Sequence, residues 1–210
     1  MGSTQLKKKG QGSQAYIREY LAGSIMAKVA VMEQLGGPIE RAGSMIAASM
    51  AKGGKWLICG NGGSAADAQH LAAEMVGRLY KLERRGLPAI ALTTDSSALT
   101  CVGNDYGYAE VFARQVEALA RPGDVVMGIS TSGNSPNVLK ALALARRMGC
   151  QTLGLSGGAG GKLAQAAGLC LTVPSQETFH IQECHITIGH LICFLVEREL
   201  LARRFIKERK

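Results

Sequence analysis

Apolar positions in the first fifty residues recur at helical spacing. Ile17, Tyr20, Leu21, Ile25, Met26, Val29, Met32 and Leu35 follow one another in this way, and after Gly36-Gly37-Pro38 so do Ile39, Ala42, Met45, Ile46 and Met50. The pattern predicts two helices between about Ala15 and Lys52, broken at the Gly-Gly-Pro and ended by Gly53-Gly54. Their Met and Ala stripes read as core. The rhythm then changes. Apolar runs at 55–60, 88–93, 124–130, 151–156 and 168–173 read as strands, with helical patterns at 64–80, 108–119, 134–148 and 160–167. A strand that is apolar along its length, such as Val125-Val126-Met127-Gly128-Ile129, belongs in a parallel sheet covered on both faces. The alternation predicts an α/β fold, a three-layer αβα sandwich around a five-stranded parallel sheet, with helices leading and closing it.

The closing helix, about 177–205, carries apolar residues on two sides. Ile181, Cys184, Ile188, Leu191, Ile192 and Leu195 form one stripe, and Gln182, Ile186, Gly189, His190 and Cys193 lie opposite. A helix apolar on both sides is buried on both sides. In a chain of 210 residues the simplest second neighbour is another subunit. The pattern predicts an oligomer with this helix at its core and with Gln182 and His190 in or beside the interface.

Composition narrows the picture. Length suggests one domain over 15–210, including the helical arm, after a disordered tail at 1–14. Aromatic residues are only 5% and glycines number 27, which suits close packing of helix on sheet. Much of the +8 net charge sits at the ends, in Lys7, Lys8 and Lys9 and in Arg203, Arg204, Lys207, Arg209 and Lys210. Such terminal runs read as solvated, so nucleic acid is not an expected partner. The six cysteines show no CxxC spacing and read as free thiols of a reducing compartment. No secretory signal and no apolar stretch of spanning length is apparent, so a cytoplasmic protein is expected, with no membrane partner.

Two loops carry candidate chemistry. The first, Cys59-Gly60-Asn61-Gly62-Gly63-Ser64, lies between the first sheet strand and an Ala-rich helix for which Ser64 is the natural cap. A glycine turn running into a helix N-terminus points free N–H groups at an anion. On that helix His70 and Glu74, four apart, share a face and can share a proton or a metal ion. Asp67 reads as a partner of the helix dipole. The second loop, Gly128-Ile129-Ser130-Thr131-Ser132-Gly133-Asn134-Ser135, follows the third strand and brings four hydroxyls to a helix start, the composition of a phosphate cradle. It is not a P-loop, so no nucleotide is implied.

Ser-Thr-Ser-Gly-Asn-Ser after a buried strand, with Cys-Gly-Asn-Gly-Gly-Ser after the first, resembles the SIS (sugar isomerase) domain. Adding His70, Glu74, Cys101-Val102-Gly103-Asn104-Asp105 and Ile181-Gln182-Glu183 through His190, the chain resembles the phosphoheptose isomerase branch over about residues 28 to 200. That resemblance implies conversion of D-sedoheptulose 7-phosphate to D-glycero-D-manno-heptose 7-phosphate through an enediol, the first step toward bacterial nucleotide-linked heptose. It also implies a homotetramer with active sites near subunit contacts. One zinc per subunit would be held by His70, Glu74, Gln182 and His190. Substrate would be bound by Asn61, Gly62, Gly63, Ser64, Asn104, Asp105, Ser130, Thr131, Ser132, Ser135 and Gln182. The chemistry asks for a base at carbon, for which Glu74 is the better choice, and a group that moves protons between oxygens, for which the imidazole of His190 is suited.

Gln182 and His190 are eight residues apart, a rise of about 12 Å on a helix. One ion reaches both from midway; otherwise they serve different protomers, or the helix starts after Gln182. The chain departs from the family at His180, where an Arg is common. His180 and His185 read as structural or as supports one layer behind the site, and Arg78 as an exposed arginine or a phosphate contact. The competing reading is a non-catalytic SIS adaptor that binds the replication initiator; the presence of Glu74 and His190 favours the enzyme.

Overall fold

The computed structural model describes residues 12–79 and 83–207. Residues 1–11 of the expected tail lie outside that range, and Ser13 and Gln14 already belong to the first helix. The elements are α1 (Ser13–Gln34), α2 (Gly36–Ala51), β1 (Trp56–Gly60), α3 (Gly63–Val76), β2 (Ala89–Ala91), α4 (Ser96–Tyr106), α5 (Ala113–Leu119), β3 (Val125–Ile129), α6 (Pro136–Arg147), β4 (Gln151–Gly157), α7 (Leu163–Ala166), β5 (Leu169–Val173) and α8 (Thr178–Ala202).

The five strands are parallel in the order β2-β1-β3-β4-β5. Strand alternation sorts side chains into two cores. Trp56 and Ile58 of β1 join α2, α3 and α8 on one face, while Leu57 and Cys59 join α5 and α6 on the other. The three layers and five strands are therefore as the apolar pattern predicts. The chain goes from β1 to β2 on one side and returns to β3 on the other, so the loops after β1 and β3 leave neighbouring strand ends in opposite directions. The crevice between such loops is where open parallel sheets place ligands.

Local differences have physical causes. The helical arm breaks at Leu35, immediately before Gly36-Gly37-Pro38, and the two glycines open α2. Pro38 sits in that first turn, where its missing N–H has no helical partner to lose. Helix α4 was not expected. Its start is capped by Asp95, whose carboxylate accepts from the Ala98 amide, and none of its residues is fully buried, Leu99 and Val102 only packing against the core from its edge. The expected helix at 108–119 divides into a 3-10 turn at Tyr108–Glu110 and α5. The expected helix at 160–167 shrinks to four residues, because Gly158, Gly160 and Gly161 take positive φ.

The stripe of α1 is not core within this chain. Ser24, Ala27 and Val31 are buried, but Ile17, Leu21, Ile25, Met26 and Met32 are exposed, Met32 at 73%. By contrast Ile39, Ala42, Ile46 and Met50 of α2 are buried as expected. Helix α8 also corrects an expectation: its mean hydropathy of 1.3 gives it the length and composition of a membrane span. It is instead the core helix of this fold, packed against α1, α2, α3 and the β4–β5 side of the sheet. The cysteines are free, four of them buried, as expected.

His185 on α8 is fully buried and its Nε2–H donates to the Ser156 carbonyl at 2.9 Å, while Nδ1 has no partner. Burial lowers its pKa to about 4, with the Ser156 bond opposing. The folded state therefore binds fewer protons here than the unfolded chain, and stability present above about pH 6.5 is lost as pH falls toward 4. Urea unfolding between pH 7.5 and 4.5 is expected to show His185→Gln losing less stability than the parent, the slopes differing by up to about 1.4 kcal/mol per pH unit.

Candidate active site

The loop after β1 turns at Gly62, whose φ of 56° is open to glycine at little cost, and α3 begins at the next residue. Ser64 is therefore not the cap. It lies inside the first turn, buried beneath Gly60, and the N-terminus has no side-chain cap. Asn61 and Asn137 exchange reciprocal amide bonds: Asn61 Nδ2 donates to Asn137 Oδ1 at 2.9 Å, and Asn137 Nδ2 donates to Asn61 Oδ1 at 2.8 Å. This pair ties the β1 loop to the start of α6. In the loop after β3, Ser130 Oγ and Ser135 Oγ meet at 2.9 Å, and Ser132 Oγ accepts from the Asn134 amide at 3.2 Å. The hydroxyls thus gather at one end of the sheet, as their spacing predicts. Asn104 and Asp105, on the last turn of α4, bond to each other at 2.8 Å, and Tyr108 just beyond them reaches Asn61 at 3.4 Å.

Helices α3 and α8 build the second half of the site. His70 Nε2 and His190 Nε2 face each other at 2.8 Å, with the rings edge to face, and His70 Nε2 lies 3.6 Å from Glu74 Oε1. Two imidazole nitrogens this close must share a proton or a cation. Gly189 lies beside this contact. A Cβ there would fall 2.6 Å from Leu71 Cδ2, so a larger residue would require the buried Leu71 side chain or the helix spacing to give way beside His70 and His190.

Gln182 lies on the same helix as His190, because α8 starts four residues earlier, at Thr178. The possibility that the helix begins after Gln182 is thereby excluded. Gln182 does not join the histidines through a hydrogen bond. Its Nε2 donates to both oxygens of Asp67, at 2.7 and 2.9 Å. A carboxylate only accepts, so the amide nitrogen must face it and the amide oxygen points away. Among the described residues no three His, Cys, Asp or Glu side chains converge on one metal-binding point.

Asp67 is the residue that sequence reasoning undervalued. It is buried, not a solvated dipole partner. Burial raises its pKa, while the Gln182 bond, His70 and His190 pull it down. The signal was present in the spacing, since 67, 70 and 74 fall on one helical face. Asn137 was also missed. Arg78 pairs with Glu83 on the surface. His180 is buried with its ring edge-on to Tyr20.

The SIS domain family model matches residues 19–157. The chain is 56% identical over 187 residues to the phosphoheptose isomerase of Aliarcobacter butzleri, covering 89% of this chain and 97% of that one. Among solved structures it resembles a phosphoheptose isomerase from Neisseria gonorrhoeae, with a TM-score of 0.84, 45% identity and coverage of 88% and 98%. A phosphoheptose isomerase from Francisella tularensis gives a TM-score of 0.87, 37% identity and coverage of 90% and 100%.

The α3–α8 contact is directly testable. Gly189→Ala is expected to destabilise the protein by about 1–3 kcal/mol through overpacking against Leu71. Urea unfolding measures the loss, and a change within about 0.5 kcal/mol would show that the glycine does not limit the packing of α8 on α3.

Proposed function

The chain belongs to the SIS domain family and, within it, to the phosphoheptose isomerases, and we propose that its chemistry is carried by the residues gathered between α3 and α8. The reaction converts D-sedoheptulose 7-phosphate to D-glycero-D-manno-heptose 7-phosphate, the entry into heptose biosynthesis. The observation that carries the site assignment is the meeting of His70, His190 and Glu74, at 2.8 and 3.6 Å, beside the two glycine- and serine-rich loops. Glu74 and His190, the residues that favour the enzyme over the adaptor reading, stand together in this cluster.

In this reading Ser130, Thr131, Ser132 and Ser135 hold the 7-phosphate. The backbone at Asn61, Gly62 and Gly63 receives the reacting end of the sugar, with Ser64 beneath the turn. Asn104 and Asp105 take hydroxyls in the middle of the chain. Glu74 removes a proton from C1 of the ketose and returns it to C2. His190 moves the accompanying proton between O1 and O2, so that an enediol links ketose and aldose. Asp67 holds the Gln182 amide so that its oxygen faces away from the carboxylate and toward a ligand.

The donor chemistry suits zinc. The support is the set of residue types, two imidazoles, a carboxylate and an amide oxygen; as they stand, the three ionisable side chains do not converge on one metal-binding point. His70, Glu74 and His190 would hold the ion, with the Gln182 oxygen as the fourth donor. Bound there, zinc would polarise the carbonyl and stabilise the enediolate. Glu74 stands in both sets and acts as base only when it is free of the ion.

A cytoplasmic homotetramer is part of the proposal. Its support is the apolar surface left by one chain. A groove of about 480 Å³ between α1, α2 and α8 is lined by Val31, Met32, Ile39, Leu191 and Phe194. An adjoining hollow reaches His190. Covering this face with a second subunit would bury the α1 stripe and close the site.

Turnover of sedoheptulose 7-phosphate followed by NMR is expected for the parent. Glu74→Gln should lower kcat by roughly 10²–10⁴-fold. Added chelator should abolish the activity and zinc restore it. An active Glu74→Gln enzyme would remove Glu74 as the base. Met32→Glu is expected to shift sedimentation from tetramer to smaller species; an unchanged tetramer would place the interface elsewhere.

A further inference from the structure

A buried ion pair below the cluster is not used by the mechanism above. Arg84 and Glu197 are 5% and 4% exposed, and Arg84 Nε donates to Glu197 Oε1. The rest of the guanidinium is spent on the end of α3. Nη2 donates to the Glu74 carbonyl at 2.9 Å, and Nη1 donates to the carbonyls of Met75 at 2.9 Å, Gly77 at 3.2 Å and Arg85 at 3.0 Å. The last carbonyls of a helix have no partners within it, and a cation there also meets the negative end of the helix dipole. Glu197 accepts in addition from the Leu79 amide at 3.4 Å.

The other end of the pair is fixed on α8. Glu197 lies seven residues beyond His190, two helical turns along nearly the same face. Between them sits Cys193, buried, its thiol raised first by burial and further by the charges of Glu74 and Glu197. One salt bridge therefore joins the backbone of the residue read as the base to the helix that carries the residue read as its partner. Gly189 leaves room for the Leu71 side chain where the two helices meet. The Arg84–Glu197 bridge sets where the end of α3 lies along α8.

We infer that Arg84 and Glu197 are positioning residues that hold Glu74 in register with His190, and not merely a clamp on the loop after α3. This inference rests on the isomerase reading for its kinetic consequence, though not for its geometry. Arg84→Lys keeps the charge but loses the fork that spans four carbonyls. The double variant Arg84→Met/Glu197→Leu replaces a buried ion pair by apolar groups, an exchange often tolerated for folding.

Both variants are compared with the parent in steady-state kinetics on sedoheptulose 7-phosphate, in thermal unfolding and in long-range ¹H–¹⁵N spectra of the histidine rings. The expected result is a kcat lower by about 10–100-fold with KM within about twofold, because the reacting groups are displaced while the phosphate loops are not touched. The ring signals of His70 and His190 should shift while that of buried His185 stays. Wild-type kcat in either folded variant, with only the melting temperature changed, would overturn the inference, as would unmoved His70 and His190 signals. A parent without turnover whose ring signals shift in the variants would sink the isomerase reading and leave the positioning role standing.

Discussion

His70 and His190 meet because α8 lies close against α3, and the glycine at residue 189 leaves room there for the Leu71 side chain. A Cβ 2.6 Å from Leu71 Cδ2 would force either the buried Leu71 side chain to shift or the helices to part. The 2.8 Å approach of His70 and His190, the nearby Glu74 and the Asp67–Gln182 bond all cross the same helix pair. The crossing is itself fixed from below by the sheet. Helix α3 springs from β1, and α8 packs on the same face, where Ile58, Leu71, Ile188 and Ile192 share one core.

The sheet contributes the other half. Its order places β1 between β2 and β3, so the loops after β1 and β3 leave adjacent strand ends and turn apart. The Asn61–Asn137 amide pair bridges them. In the proposed reading, a phosphorylated sugar held by the serine loop after β3 would extend toward the first turn of α3. His70 and Glu74 stand one and two turns further along that helix, and His190 meets His70 from α8.

What could be read from the sequence was what lies close together in it. The strands and the three-layer order followed from short apolar runs, and the gathering of hydroxyls after β3 from their clustering in the sequence. The His70–Glu74 pair followed from a spacing of four. What escaped was set by tertiary contact. Asp67 looked like any acidic residue of a first turn until burial and Gln182 gave it a partner from 115 residues away. Arg84 and Glu197 are separated by 113 residues and give no local signal. Helix α4 has no buried stripe to reveal it. The α1 stripe was legible as apolar, but this chain covers only Ser24, Ala27 and Val31 of that helix. The same uncovered surface makes α8 resemble a membrane span by composition, although eleven of its residues, including Glu197, are buried within the fold.

The central claim is that His70 from α3 and His190 from α8 act as one unit. The most direct test is a double-mutant cycle on kcat/KM for His70→Gln, His190→Gln and the pair. Residues that work together lose most of their effect at the first removal, so the double variant should be no more than a few-fold worse than the weaker single one. If the two losses multiply instead, the histidines act independently, and the 2.8 Å contact between them is not the centre of the chemistry.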